Sequence, residues 1–212
     1  MTGPGAPGPL YRGSAGAEPP CGGITVISGP TAVGKGTVVS ALRLRCPDLW
    51  VSVSATTRAP RPMEREGIDY HFVSNEDFDD LIEHDGLLEW ATVHGTDRYG
   101  TPARPVDAAV AAGRHVILEI DLQGARQVRA RRPEARSIFL APPSWEVLVE
   151  RLVGRGTETP EQRTRRLATA RMELAAASEF DHLVVNEDLG ATVESLVDLL
   201  GLATPTPAKV NP

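Results

Sequence analysis

The sequence predicts an α/β fold in which helices flank a parallel β-sheet, because short apolar runs alternate with helical patterns along most of the chain. Two segments interrupt this alternation. Residues 58–102 contain aromatic strand candidates and many polar residues, and they predict an inserted subdomain. Residues 154–160 form a polar Gly/Pro loop between two helical patterns, which predicts a small lid over about 154–165.

The predicted elements begin with a buried strand at Ile24–Ser28, followed by a helix at Thr37–Arg45 that Pro47 ends. The core is expected to comprise residues 23–57 and 103–202. Its other elements are strands at 51–54, 116–120, 137–140 and 183–185, and helices at about 123–131, 144–153 and 161–178, with a last helix ending at Leu200. In the insert we expect strands at 70–73 and 87–93 and a helix near 75–84.

Composition limits the classes of protein to consider. Residues 1–22 and 203–212 are rich in Gly and Pro, and they are predicted to be disordered tails. No apolar run reaches the ~18 residues of a membrane span, no secretory signal is visible, and the two cysteines make no disulfide framework, so we expect a cytoplasmic protein. The net charge of −6 argues against a nucleic-acid partner, and the arginine-rich residues 126–136 are interpreted as a solvated helix face.

The segment I-T-V-I-S-G-P-T-A-V-G-K-G-T, residues 24–37, runs from a strand through a glycine-rich loop into a helix. Backbone N–H groups and the helix dipole favour phosphate there, and Lys35 would reach the outer phosphates. A Gly/Pro turn with an incidental charge is the alternative. Gly36 stands where the standard pattern has Ser or Thr, so a metal would be held mainly through phosphates and water, with Thr37 or Asp121 as candidate ligands. The predicted phosphate-binding residues are Gly29, Pro30, Thr31, Ala32, Val33, Gly34, Lys35, Gly36 and Thr37.

Further charged residues are candidates for ligand binding. Arg58 and Arg61 can present two guanidinium groups to one phosphate, although an isolated R-x-x-R is more often solvated surface. Asp121 follows the strand at 116–120, where α/β sheets bind ligands, and it is also a plausible helix N-cap. Glu89 in L-L-E-W can bind a ligand or form a salt bridge on an edge strand.

These segments together resemble bacterial guanylate kinases, a family of P-loop nucleoside monophosphate kinases, over residues 23–202. The shared motifs are G-P-x-x-x-G-K, S-V-S-A-T-T-R-x-P-R, G-x-D-Y-x-F, L-L-E-W, Y-G-T, D-L-Q-G, A-P-P-S and R-G-T-E-T, in the family's order and spacing. The resemblance implies in-line transfer of a phosphoryl group from ATP to GMP, and also to dGMP, with Mg²⁺. The motif H-G-T-D-R-Y-G-T is one residue longer than the usual H-G-x-Y-Y-G-T.

The resemblance also implies a role for individual residues. The GMP phosphate would meet Arg58, Arg61, Tyr70 and Tyr99, and the guanine would meet Ser54, Glu89, Thr101 and Asp121. Arg155 and Arg166, with Lys35, would act on the transferring phosphates, and Asn186 would lie near the adenine. The residues 58–102 would then form the GMP-binding subdomain.

The chemistry of this reaction explains the residue types. A GMP phosphate is mostly dianionic near neutral pH, since its second pKa is about 6, so it needs no general base. Catalysis depends on positioning and charge neutralisation by Lys35, Mg²⁺ and arginines. Guanine presents N1–H and N2–H side by side, which suits an acceptor-only carboxylate such as Glu89. Two alternatives are a non-catalytic guanylate-kinase-like interaction module and a kinase for another small phosphate ester. The oligomeric state stays open.

Overall fold

A computed structural model describes residues 22–93, 97–153 and 160–202. The predicted tails lie almost entirely outside these ranges. The strands are β1 (Ile24–Ser28), β2 (Trp50–Val51), β3 (Ala55–Thr56), β4 (His71–Phe72), β5 (Leu87–Val93), β6 (Asp97–Pro102), β7 (Val116–Glu119), β8 (Arg136–Ala141) and β9 (His182–Val185). The helices are α1 (Lys35–Arg45), α2 (Asn75–Glu83), α3 (Ala103–Ala111), α4 (Leu122–Arg131), α5 (Trp145–Val153), α6 (Pro160–Ala175) and α7 (Leu189–Leu200), with a 3₁₀ turn at Ala177–Glu179.

Five parallel strands form the first sheet, in the order β2-β7-β1-β8-β9. One face carries a buried cluster that includes Leu42 of α1, Leu148 of α5 and Leu196 of α7. The other face carries a cluster that includes Val106 of α3 and Val128 of α4. Because apolar side chains cover both faces, the strands are nearly continuous hydrophobic runs. The predicted α/β fold with a flanked parallel sheet is therefore confirmed.

A second, four-stranded sheet has the order β4-β3-β6-β5. β5 and β6 pair antiparallel, and Glu89 lies opposite Thr101 in their register. Phe78 of α2 packs with Leu87 and Ala55 in a small core of its own. Ser74 begins α2 with a capping box in which its side chain and that of Asp77 each accept the other residue's backbone N–H.

The structure differs from the sequence expectation at residues 51–54, which were predicted to form one strand. Instead β2 ends at Val51 in the first sheet, and β3 begins at Ala55 in the second. The N–H of Ser52 still donates to the carbonyl of Ile117, at 3.0 Å, before the chain crosses over. A single alternating run of apolar residues does not reveal that its two ends pair with different sheets.

The arginine-rich helix α4 binds carboxylates on its exposed side. Its arginines form ion pairs of 2.6 to 3.4 Å: Arg126 with Glu179, Arg129 with Asp181, Arg131 with Asp85, and Arg132, which follows the helix, with Asp107. Exposed pairs of this kind contribute at most about 1 kcal/mol each. Within the described residues, no helix is long and apolar enough to cross a membrane.

Candidate active site

The glycine-rich loop connects β1 to α1, as predicted, and two glycines are required by its geometry. A Cβ atom on Gly29 would lie 2.3 Å from the carbonyl oxygen of Leu140 in β8. Gly34, the residue before α1, has a φ of 99°, in the left-handed region that favours glycine. The loop backbone therefore reaches the N-terminus of α1 in a conformation that requires glycine at positions 29 and 34.

Lys35 is the first residue of α1, and its ammonium group folds back over the loop. Its Nζ donates to the carbonyl oxygens of Gly29, at 2.6 Å, and Pro30, at 3.4 Å. Burial lowers the pKa of Lys35, and the nearby carboxylates of Glu173 and Glu119 oppose that change. A cation that is partly desolvated and can leave two neutral carbonyl groups is suited to binding an anion.

Asn186 lies against this loop and supports it. Its Nδ2 donates to the carbonyl oxygen of Val33 at 2.8 Å, and its Oδ1 accepts the hydroxyl of Thr192 at 3.2 Å. Arg151 donates to the carbonyl oxygens of both Val33 and Asn186. The side-chain amide of Asn186 thus forms hydrogen bonds within the protein. That Asn186 lies near adenine stays a prediction.

Two carboxylates near Lys35 were not predicted from the sequence. Glu119, at the end of β7, lies beside Gly36, and burial raises its pKa while Lys35 opposes the rise. Glu173, on α6, accepts the backbone N–H of Thr31 at 3.2 Å, and burial raises its pKa too. A glutamate inside the buried run V-I-L-E-I was a usable signal for Glu119, whereas nothing in the polar α6 distinguishes Glu173.

A cavity of about 280 Å³ lies between the two sheets and is lined by seven of the eight predicted GMP-binding residues, all except Thr101, together with Lys35. Lys35, Glu119, Ile120 and Asp121 line it from the first sheet and its loops. The other lining residues are Ser54, Arg58, Arg61, Tyr70, Glu89, Ala91, Val93 and Tyr99. The chain thus brings one lysine, two arginines and three carboxylates to a single space.

Arg58 and two tyrosines form one side of the cavity. The guanidinium of Arg58 donates to both oxygens of Glu64, at 2.9 and 3.0 Å, and to the hydroxyl of Tyr99, at 3.0 Å. It lies 5.5 Å from the ring centroid of Tyr70, and the rings of Tyr70 and Tyr99 are 5.8 Å apart. The hydrogen bonds from Arg58 lower the pKa of Glu64. Glu64 binds both guanidinium nitrogens of Arg58 in the way that a phosphate group could. The sequence did not indicate a role for Glu64.

Glu89 also lines the cavity and is only 5% exposed. The hydroxyl of Thr101 donates to its Oε1 at 2.6 Å. Burial raises the pKa of Glu89 to about 7; the Thr101 hydrogen bond lowers it and the charge of Asp121 adds to the increase. The alternative was a salt bridge on an edge strand, but among the described residues the carboxyl group has a hydroxyl partner and no ion pair.

Asp121 has the predicted N-cap role, and its predicted ligand contact stays a prediction. It is the N-cap of α4, where its Oδ1 accepts the N–H of Gly124 at 2.8 Å, and it also lines the cavity. Thr101 is fully buried behind Glu89, and Thr37 is exposed on α1. Arg166 is half-buried on α6 and does not line the cavity, and Arg155 lies outside the described residues.

The comparisons with known proteins agree on one family. A guanylate kinase family model matches residues 23–202. Guanylate kinase of Cutibacterium acnes is 63% identical over 179 residues, covering 84% of this chain and 90% of the relative. Guanylate kinase of Mycobacterium sp. (strain MCS) is 62% identical over 180 residues, covering 84% and 91%. A crystal structure of guanylate kinase from Anaplasma phagocytophilum has a TM-score of 0.68 at 35% identity, covering 85% of each chain.

Proposed function

This chain belongs to the guanylate kinase family, and from that membership we propose how its cavity holds the two substrates. The chain is an ATP-dependent GMP kinase, which transfers the terminal phosphoryl group of ATP to GMP and releases ADP and GDP. One observation carries the proposal. A single cavity is lined both by arginines and tyrosines and by the buried carboxyl group of Glu89, which matches the phosphate and the base of a single nucleotide.

The GMP phosphate would bind between Arg58, Arg61, Tyr70 and Tyr99. Arg58 is already oriented by Tyr99 and by Glu64, so its guanidinium loses little conformational entropy on binding. A dianionic phosphate would take over part of the fork that Glu64 now occupies. The Arg58 fork supports a site for a phosphate monoester, because guanidinium groups bind phosphate oxygens in the same bidentate geometry as carboxylates.

The guanine would bind at Glu89, with Ser54 and Asp121 at the rim of the same space. An ionised Glu89 can accept both N1–H and N2–H of guanine, and adenine lacks both donors. Thr101 would act through Glu89, since it is buried and its hydroxyl already donates to that carboxyl group. We include dGMP among the substrates, because the residues proposed for the phosphate and the base need no ribose 2′-hydroxyl.

ATP would lie on the loop of residues 29–37, with its phosphates on the backbone N–H groups and Lys35 released from its two carbonyl partners. Asn186, beneath the loop, would lie near the adenine. The acceptor phosphate needs no base, so the protein contributes alignment and positive charge from Lys35, from Arg155 on the lid and from Arg166 on α6. Closure of the lid would exclude water as a competing acceptor.

The residues near the loop suit Mg²⁺ bound through the nucleotide. The described residues contain no group of three or more metal-binding side chains. Mg²⁺ usually binds through one or two carboxylates together with phosphates and waters. The oxygens of Glu119 and Asp121 on the cavity wall fit this pattern, and Thr37 is a further candidate. When bound, Mg²⁺ would neutralise charge on the transferring phosphates.

The test is a coupled assay of ADP release with GMP, dGMP, AMP, CMP and UMP as acceptors. We expect GMP and dGMP to be used and the other three to be poor, because only guanine offers the paired donors. Preferred use of AMP, CMP or UMP would assign the cavity to another phosphate ester. Turnover of none of them would favour the non-catalytic interaction module. We also propose a cytoplasmic role in purine nucleotide metabolism, where ATP and GMP are both available.

A further inference from the structure

We propose that helix α4 sets the position of the Glu89 carboxylate through Gly124 and Gln127, and thereby sets the preference for guanine. The inference rests on the proposed contact between Glu89 and the base. Gly124 and Gln127 lie one turn apart on α4, on the side that faces β5. Neither residue lines the cavity, so both would be positioning residues.

Gly124 leaves the space that the Glu89 carboxylate occupies. A Cβ atom at residue 124 would lie 2.6 Å from Oε2 of Glu89 and 3.0 Å from its Cδ, and the first distance is too short unless the carboxyl group shifts. The backbone of Gly124 is helical, without a positive φ, so its conformation does not require glycine. Glycine in a helix costs about 1 kcal/mol relative to alanine. The missing side chain is therefore explained by the room it gives to Glu89.

The carboxyl group cannot simply turn away from α4. Its Oε1 accepts the hydroxyl of Thr101, the residue opposite Glu89 on β6, at 2.6 Å, and both residues are buried. The carboxyl group of Glu89 thus lies between its hydrogen bond to Thr101 on β6 and the backbone of Gly124 on α4. An added methyl group at residue 124 would have to displace Oε2 by the better part of an ångström, which is enough to misalign a bidentate contact.

Gln127 fixes the backbone next to Glu89. Its Oε1 accepts the N–H of Trp90 at 3.1 Å, and its Nε2 donates to the carbonyl oxygen of Trp90 at 2.7 Å. β5 is at the edge of its sheet, so this side-chain amide takes the place of a neighbouring strand. The helix and the edge strand are thereby joined at the residue that follows Glu89.

The main test is Gly124→Ala, assayed with GMP and with IMP, which lacks the N2 amine. We expect kcat/KM for GMP to fall by about tenfold or more and that for IMP to fall less, so the GMP-to-IMP ratio decreases, with KM for ATP unchanged. Gly190→Ala is the matched control, because Gly190 is in the first turn of α7 and exposed. It should leave the ratio as in the wild type.

Gln127→Leu is the second variant, and it removes both bonds to Trp90 while keeping side-chain volume. We expect a lower GMP-to-IMP ratio here also, even if the melting temperature falls. A lower melting temperature with an unchanged ratio in both variants would overturn the proposal, because α4 would then only stabilise the fold. If Gly124→Ala does not fold, the ratio in Gln127→Leu decides.

Glu89→Gln separates this inference from the proposed function. An unchanged ratio in Glu89→Gln would refute base recognition by Glu89 itself. A reduced ratio in Glu89→Gln, with wild-type ratios in Gly124→Ala and Gln127→Leu, would refute only the role of α4. Adding Gly124→Ala to Glu89→Gln should cause little further loss in the ratio, because both changes act on one contact.

Discussion

At the scale of single residues, burial gives Glu89 a property that its residue type does not imply. A glutamate in water is ionised at neutral pH, whereas burial raises the pKa of Glu89 to about 7, so a proton is present on this group much of the time. Because its pKa is higher in the folded state than in the unfolded state, protonation of Glu89 stabilises the folded protein. The stabilising contribution of Glu89 therefore falls as pH rises from the ordinary value of 4.5 towards about 7.

We expect GMP to bind more tightly as pH rises from about 6 to about 8, because guanine N–H groups require the ionised carboxylate and binding must release the proton. The affinity should change by up to about tenfold per pH unit below a pKa of about 7 and level off above it. Calorimetric titration of GMP at several pH values measures this dependence. Glu89→Gln is the control for titration of the GMP phosphate, and identical pH profiles for the two proteins would contradict the prediction.

Lys35→Ala should reduce kcat by at least about 10²-fold while the fold is kept, since the loop loses its point charge but retains its backbone. Loss of a partly desolvated ammonium should change the melting temperature little, as burial already lowers the pKa of Lys35. Lys35→Arg should be impaired too, because a planar guanidinium does not replace a compact ammonium in this loop. Single-turnover assays and thermal melts test both variants, and near-normal turnover in either would show that Lys35 does not act on the phosphates.

At the scale of elements, strand bounds were predicted best where the apolar pattern itself begins and ends with the strand. β1 and β5 were predicted with the bounds that they have. β6, at Asp97–Pro102, was not predicted as a strand, because its Gly, Pro and Asp residues have low strand propensity and pairing with β5 decides its conformation. The contacts of Glu173 with Thr31 and of Gln127 with Trp90 join distant parts of the chain, and no local pattern predicted them.

The pairing of β5 with β6 makes a prediction for Thr101→Val, which removes the hydroxyl group but keeps the buried volume. The hydrogen bond from Thr101 lowers the pKa of Glu89, so its loss should raise that pKa further. At pH 7 we expect GMP affinity to fall by about three- to tenfold, the size of one hydrogen bond. The pH profile of GMP binding should shift to higher pH, and affinity should recover in part at pH 8. A loss that is equal at all pH values would point to packing instead.

At the scale of the whole molecule, the site depends on three parts of the fold that meet around one cavity. The chain passes from the first sheet to the second between Val51 and Ala55, and it returns where β6 ends at Pro102 and α3 begins. Helix α6 provides the third part beside the cavity rather than on its wall, because Glu173 accepts the N–H of Thr31 in the phosphate loop. Arg166 is seven positions before Glu173, close to two helical turns, and so it lies on the same side of α6.

The position of Arg166 on α6, which contacts the phosphate loop through Glu173, leads to a prediction about phosphoryl transfer. Arg166→Ala should lower kcat far more than it weakens GMP binding, because the guanidinium would act on charge that develops during transfer. Arg155→Ala should behave in the same way, although Arg155 lies outside the described residues. GMP affinity by calorimetry and kcat by coupled assay separate the two effects, with Arg163→Ala on the exposed part of α6 as the matched control. If GMP affinity collapsed in Arg166→Ala while kcat at saturation were kept, Arg166 would belong to the acceptor site and not to the lid.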